Sequence, residues 1–210
     1  MGTILRLALC VGVIATGQAL TAAPAAAQSV TLFPAQLSGA NIDALFGQQT
    51  SPEDVVTDIP LPGINGKAVL HSRVFRAAAG SQAQGRFAYE YRVDLSNATT
   101  FVDVSCVSNL SVKFGPIEKL PYAPNSLRDV YMIKQGVPPN QIGFSSAVQT
   151  GDLVTFTFER LVCAGDGTSP GATTFAFGLA SRDSPDRAVQ VLIDAIGLDD
   201  MRVKSFGPIR

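Results

Sequence analysis

The stretch RFAYEYRVDL, residues 86–95, places Phe87, Tyr89, Tyr91, Val93 and Leu95 at every second position, with Arg86, Ala88, Glu90, Arg92 and Asp94 between them. Successive side chains of a strand point to opposite faces, so this alternation fits a strand with one apolar face and does not fit a helix. The apolar set, both tyrosines included, is expected in a core. Glu90, Arg92 and Asp94 form a charged stripe, expected on a solvated outer face.

The same period recurs. In DLVTFTFERLV (152–162), Val154, Phe156 and Phe158 oppose Thr155, Thr157 and Glu159. NLSVKF (109–114) sets Leu110, Val112 and Phe114 on one side, and TTFAFGLAS (173–181) does so with Phe175, Phe177 and Leu179. KAVLHSRVF (67–75), TFVDVSCV (100–107) and MRVKSF (201–206) are further strand candidates, rich in β-branched or aromatic residues. Turn residues part them at Asn65-Gly66, Gly80 to Gly85, Ser96-Asn97, Gly115-Pro116, Gly151-Asp152 and residues 164–171. Many short strands with frequent turns predict an all-β fold, a single antiparallel β-sandwich with one or two short helices in the connections.

Three stretches carry helix signals. One is SPEDVVTD (51–58), with Ser51 as cap and Pro52 at the first helical position; a second is NSLRDVYMIKQG (125–136), with Ser126 and Asp129 in capping-box spacing and Gly136 as a stop. SPDRAVQVLIDAIG (184–197) fits either period. It reads as a strand that turns through GLDD into MRVKSF as a hairpin. Residues 34–62 are expected to be a long irregular connection with a turn of helix.

The amino terminus has the layout of a secretory signal peptide: Arg6, the uncharged apolar run LALCVGVIATGQAL, then small residues at Ala25 and Ala27. The run is shorter than a membrane-spanning helix. Residues 1–27 are therefore expected to be removed, leaving a single domain over 28–210. No second long apolar stretch follows, so no membrane span is expected after the leader. The whole chain carries 16 basic and 17 acidic residues, and no Lys/Arg cluster stands out. Nucleic acid is thus not an expected partner.

Export bears on the cysteines. Beyond residue 27 only Cys106 and Cys163 remain, and two cysteines in an oxidising compartment most often pair. Both adjoin strand patterns, so a Cys106–Cys163 disulfide between strands is expected. A reactive cysteine would need a base, and His71 is the only histidine.

Residues 159–171, ERLVCAGDGTSPG, contain a G-x-S-x-G match centred on Ser169. In a nucleophile elbow the residue after the serine lends its N–H to the oxyanion hole, and a helix follows. Here that residue is Pro170, which has no N–H; GATTFAFG reads as a strand; and His71 precedes the serine. The match is not expected to be catalytic. One histidine also precludes a histidine-based zinc site, and His71 is expected at the surface. Asp166, Asp199 and Asp200 lack calcium-loop spacing, which leaves open a site assembled from distant loops. No spacing among the carboxylates selects a glycosidase pair, and the absence of tryptophan removes the usual sugar-stacking platform. No catalytic, cofactor-binding or metal-ligating residue is assigned, and no cofactor.

The block GDLVTFTFERLVCAGDGTSPGATTFAFGLASRDSP resembles uncharacterised exported bacterial β-rich proteins, some of which carry PEP-CTERM-type sorting tails. The likeness rests on a strand, a small-residue loop, and FAFGLAS followed by a proline. It covers about a sixth of the chain. It implies an exported β-sandwich and carries over no functional residue.

The expected function is that of a non-enzymatic structural or binding domain, periplasmic or extracellular, with an envelope or extracellular protein or a glycan as partner. The alternatives are a secreted hydrolase working through carboxylates and a small outer-membrane β-barrel. Mass spectrometry of the exported protein should find Gln28, free or cyclised, as the first residue; an intact Met1 on exported protein would contradict the leader.

Overall fold

The computed structural model describes residues 27–47, 53–100, 105–123, 126–134 and 141–208. Strands β1 (Ser29–Leu32) and β2 (Pro34–Leu37) lead into helix α1 (Gly39–Phe46), then β3 (Glu53–Ile59), β4 (Asn65–Arg76), β5 (Phe87–Thr99) and β6 (Cys106–Lys113). Next come β7 (Leu120–Ala123), β8 (Ser126–Arg128), β9 (Val130–Ile133), β10 (Gln141–Ile142), β11 (Phe144–Thr150) and β12 (Leu153–Cys163). The last four strands are β13 (Thr173–Thr174), β14 (Ala176–Ser181), β15 (Pro185–Ala195) and β16 (Met201–Pro208). The expected signal peptide lies outside the described residues apart from Ala27.

The strands form two facing sheets, the expected sandwich. The smaller runs β1-β11-β12-β6-β15-β16, antiparallel throughout. The larger carries β3, β4 and β5 side by side. Beyond β5 it continues through β14 to β9 and β2, and β13 pairs with β5 further along, flanked by β10. Its two parallel pairings are β2 with β9 and β10 with β13. β7 and β8 make a separate hairpin.

The alternation read from the sequence fills the space between the sheets. Tyr89, Tyr91, Val93 and Leu95 of β5 are buried there with Leu110 and Val112 of β6, Val154, Phe156 and Phe158 of β12, and Val191 and Ile193 of β15. Phe177 of β14 sits amid four rings, with centroids 4.8 Å from Phe156, 5.9 Å from Phe144, 5.9 Å from Phe158 and 6.2 Å from Tyr91. The tyrosine hydroxyls are satisfied: Tyr89 donates to the Asp183 carbonyl at 2.7 Å and Tyr91 to the Phe206 carbonyl at 2.8 Å. The apolar faces meet each other in the interior, as a sandwich requires; a lipid-facing barrel would turn them outward.

A second core lies on the other side of the larger sheet. Ile42, Leu45 and Phe46 of α1 and Leu120 and Tyr122 of the β7–β8 hairpin cover Phe75, Ala88, Tyr131 and Ala180. The sheet is thus covered on both faces over part of its area. Ala88 and Glu90 are buried here and not solvated as expected.

Both expected helices are strands instead. Of residues 51–58, the described part from residue 53 on is β3, where β-branched Val55, Val56, Thr57 and Ile59 pair with β4; their restricted χ1 suits a pleated sheet better than a helix. Residues 126–133 are β8 and β9. Asp129, expected to close a capping box, accepts instead from the Phe33 N–H at 2.9 Å and lies 3.4 Å from the Lys119 ammonium. The helix that forms is α1. Ser38 caps it, accepting from the Asn41 N–H at 3.4 Å, and Gly47 ends it at φ 75°. Residues 34–62 therefore hold β2, α1 and β3, and are not a long irregular connection. The weighed hairpin of β15 and β16 forms as expected.

Cys106 and Cys163 are bonded, with Cα atoms 4.0 Å apart. They face each other in the register of β6 and β12, so the bridge ties neighbours within one sheet and does not span the two. With 57 residues separating them, the chain-entropy model gives about 4 kcal/mol from closure of the loop in the unfolded state.

Replacing Phe177 with Ala removes the ring at the centre of the inter-sheet core. It should lower unfolding free energy by about 3–5 kcal/mol, read from denaturant midpoints. A loss below about 1 kcal/mol would show that the two sheets do not depend on this contact.

Candidate functional site

The charged stripe of β5 meets matching residues on its neighbours. Register sets Asp54 of β3 beside Arg73 of β4 and Arg73 beside Glu90; Val56 beside His71 and His71 beside Arg92; and Asp58 beside Val69 and Val69 beside Asp94. Charged residues from three strands therefore share one face, because the period of two puts all of them opposite Leu70, Tyr89, Tyr91 and Val93. Within the group, Arg73 Nε lies 3.4 Å from Asp54 Oδ2, Arg92 Nη2 3.6 Å from Asp94 Oδ2, and His71 Nε2 3.8 Å from the same oxygen.

Elements beyond these strands turn the face into a concavity. Ile42 and Asp43 of α1, Ile133 of β9, Gln141 of β10 and Ala176 of β14 join His71, Arg73, Glu90 and Arg92 around a cavity of about 230 Å³. Gly178 of β14 sits beside Glu90 in the sheet. It pairs with Glu90 on one side and with Tyr131 on the other, and a Cβ there would stand 2.7 Å from the Tyr131 hydroxyl. The missing side chain lets the Tyr131 ring lie close to β5, with its hydroxyl 3.5 Å from the Tyr89 carbonyl.

Burial sets the electrostatics. Glu90 is only 8% exposed. Loss of hydration pushes its carboxyl up to about 7, a rise that the cations of Arg73 and Arg92 oppose and Asp54 reinforces. No hydrogen bond or ion pair holds that carboxyl among the described residues. His71, 21% exposed by its side chain, has its pKa lowered by desolvation and then by Arg92, against the pull of Asp94 and Asp54. It is therefore mostly neutral at pH 7, and half-buried where a surface position was expected. Arg92 Nε and Gln141 Oε1 are buried with no hydrogen-bond partner. Both atoms are sealed from the cavity that their residues line, so their cost falls on the fold.

The other sequence candidates fall elsewhere. In the loop after Cys163, Asp166 Oδ1 accepts from the Thr168 N–H at 2.9 Å, the Thr168 hydroxyl at 2.7 Å and the Ser169 N–H at 2.7 Å. These donors draw its carboxyl down to about 2. The aspartate thus organises a turn, and Ser169 hands its own N–H to it. The chain then enters β13 and β14, strands and not the helix that an elbow needs. Two glycines of this loop leave no room for a side chain: a Cβ at Gly165 would stand 2.1 Å from the Ser169 carbonyl oxygen, and one at Gly171 would stand 1.9 Å from that of Leu95. Asp199 and Asp200 are exposed in the turn between β15 and β16. Among the described residues, no three His, Cys, Asp or Glu side chains group as metal ligands.

The sequence placed Glu90, Arg92 and Asp94 together and set His71 on a strand of its own. Arg73, two residues after His71, was open to the same period. Asp43 and Gln141 carried no signal, since tertiary contacts alone bring them in. No family model, curated protein or solved structure matches this chain.

Glu90 imposes a definite pH dependence. Its folded-state pKa, about 7, lies above the ordinary 4.5 of a glutamate, so the folded state binds more protons between these values and stability falls as pH rises through that window. The loss is complete above pH 7 and amounts to about 3 kcal/mol. His71 acts with the opposite sign: its lowered pKa contributes stability above 6.5 that is lost as pH falls through the folded value. Glu90→Gln should therefore raise the melting temperature at pH 8 and flatten its decline between pH 4.5 and 7. An unchanged profile would show that the carboxyl is not desolvated.

Proposed function

We propose that the chain is an exported, non-enzymatic binding domain whose cavity beside Glu90, Arg92 and Gln141 takes a small polar ligand or one unit of a larger one. The observation that carries this reading is a concavity on a folded sheet face holding a buried carboxyl, that of Glu90, with no hydrogen bond or ion pair among the described residues. A carboxyl left in that state destabilises a fold, and a ligand that meets it returns what it costs. A cavity of about 230 Å³ is below the range of drug-sized sites, which favours a small occupant. The Cys106–Cys163 bridge supports an oxidising compartment, periplasmic or extracellular. No helix among the described residues is long and apolar enough to cross a membrane.

A second reading, a secreted hydrolase working through carboxylates, draws on one observation. A carboxyl raised to about 7 in a cavity has the poise of a general acid. The binding reading is preferred because Asp94, the next carboxylate along the same face of β5, is outside the residues lining the cavity and lies within 4 Å of both Arg92 and His71.

Titration of ¹⁵N-labelled protein with fractionated envelope extract separates these readings. On the binding reading, a fraction shifts the backbone amides of Arg73, Glu90 and Arg92 saturably, and its active component is recovered unchanged in mass. Time-dependent conversion of that component, abolished by Glu90→Gln, would replace binding with hydrolysis. Shifts confined to other surfaces would remove the cavity from function.

A further inference from the structure

We propose that two copies of the mature chain join at β1, edge to edge and antiparallel about a two-fold axis, so that their six-stranded sheets become one. This surface is separate from the cavity beside Glu90.

An outer strand presents a row of unpaired N–H and C=O groups, and proteins guard such edges with charge, proline, brevity or cover. Among the described residues, the outer strands of the two sheets follow that rule with one exception. β16 carries Arg202 and Lys204, and the Lys204 carbonyl accepts from the Thr57 hydroxyl of β3 at 2.8 Å. β3 itself carries Glu53, Asp54 and Asp58. β2 begins at Pro34, and β10 is only two residues long. β1 is the other outer strand of the smaller sheet, with β11 as its ladder partner. It has no such guard. No charged residue stands between Gln28 and Leu37, and Pro34 comes only after the strand. Its apolar side chains are uncovered too. Val30 shares a face with Leu32, which is buried, yet Val30 is 52% exposed, and Phe33 at the end of the strand is 58% exposed.

The occupant of this edge is a second copy. On the proposed export, cleavage after Ala27 leaves Gln28 alone ahead of β1, so the leader does not cover it. A second copy brings the same uncharged, partly apolar edge. A two-fold axis normal to the sheet at Thr31 sets Thr31 opposite its counterpart and Val30 opposite Leu32 of the second copy, on the core side, with no like charges opposed. That pairing occupies both unguarded edges while β16 stays guarded, so association stops at two. A ladder of four residues with few apolar side chains is a small interface, which makes the dimer weak and concentration-dependent.

The test is sedimentation equilibrium of the mature chain, Gln28 to Arg210, between about 1 and 500 μM at pH 7. A reversible monomer–dimer equilibrium is expected. Val30→Lys and Thr31→Lys each supply the missing guard charge at an exposed position. Each should weaken dimerisation about tenfold or more and leave the thermal midpoint of the monomer, read at the lowest concentration, unchanged. Thr31→Cys should give a covalent dimer under mild oxidation. Thr157→Cys, exposed on β12 inside the same sheet, should not. A monomer across the whole range would overturn the proposal and leave the edge to an extended segment of another protein. Species larger than two, a dimer that both lysine variants leave intact, or crosslinking at residue 157 and not at 31 would overturn it as well. The wild-type series and the cysteine variants decide the matter even if a lysine variant fails to fold. Either result leaves the cavity reading standing, since that is followed at the amides of Arg73, Glu90 and Arg92.

Discussion

The packing of Tyr89, Tyr91, Val93 and Leu95 against the six-stranded sheet fixes the opposite face of β5, because a strand pinned in register on one side has no freedom on the other. Arg73, His71, Glu90, Arg92 and Asp94 are therefore presented together whatever their mutual energetics. Electrostatics did not assemble this group; inter-sheet packing did, and the ion pairs of Asp54 with Arg73 and Asp94 with Arg92 formed within positions already set. Exposed pairs of this kind contribute little on their own. Their effect is to leave Glu90 without a dedicated partner while surrounding cations hold its raised pKa to about 7.

The difference between a solvated stripe and a half-covered one comes from α1 and the β7–β8 hairpin, which cover part of the same sheet face. Where they cover it, small Ala88 and Ala180 accept Phe46, Leu45 and Tyr122 as neighbours in one apolar cluster. Beside that cluster, among the described residues, Ile42 and Asp43 of α1 and Gln141 of β10 border the cavity that the charged residues line. A face that is apolar at one end, charged at the other, and roofed across the boundary is half dehydrated. That raises the carboxyl pKa and lowers the histidine pKa at once.

This arrangement explains what the sequence disclosed and what it concealed. The inward residues of β4, β5, β12 and β14 were legible because period two records burial on one side directly. The outer face of β5 was misread as solvated because alternation says only that two faces differ, and Ala88 and Glu90 look alike whether they meet water or a helix. The two helices expected at 51–58 and 125–136 rested on cap-like residues, Ser51 with Pro52 and Ser126 with Asp129. In β3 the β-branched run outweighed those signals, and Asp129 proved to be a tertiary anchor for the Phe33 N–H. The true helix was written in the same code, Ser38 before an Ile42–Leu45–Phe46 stripe and Gly47 after it, but only eight residues long. Gln141 was beyond reach, since a single glutamine has no periodic partner to announce it.

The loop after Cys163 and the cavity beside Glu90 show two opposite uses of a carboxylate. Asp166 is exposed and saturated with local donors, so its pKa falls and its hydrogen bonds stay inside the turn. Glu90 is buried and unsupplied, so its pKa rises and its hydrogen-bonding capacity is left facing a void. The first arrangement lowers the energy of the folded chain and leaves little for an outside group to gain. The second raises it, and folds keep such a feature where another constraint demands it. Here the register of β5 demands that residue 90 face the gap, yet it does not demand a glutamate: a glutamine of almost the same size would fit with less loss of hydration. The choice of an ionisable group at a position fixed by packing is what gives the concavity its electrostatic character, a carboxyl whose ionisation is opposed by lost hydration.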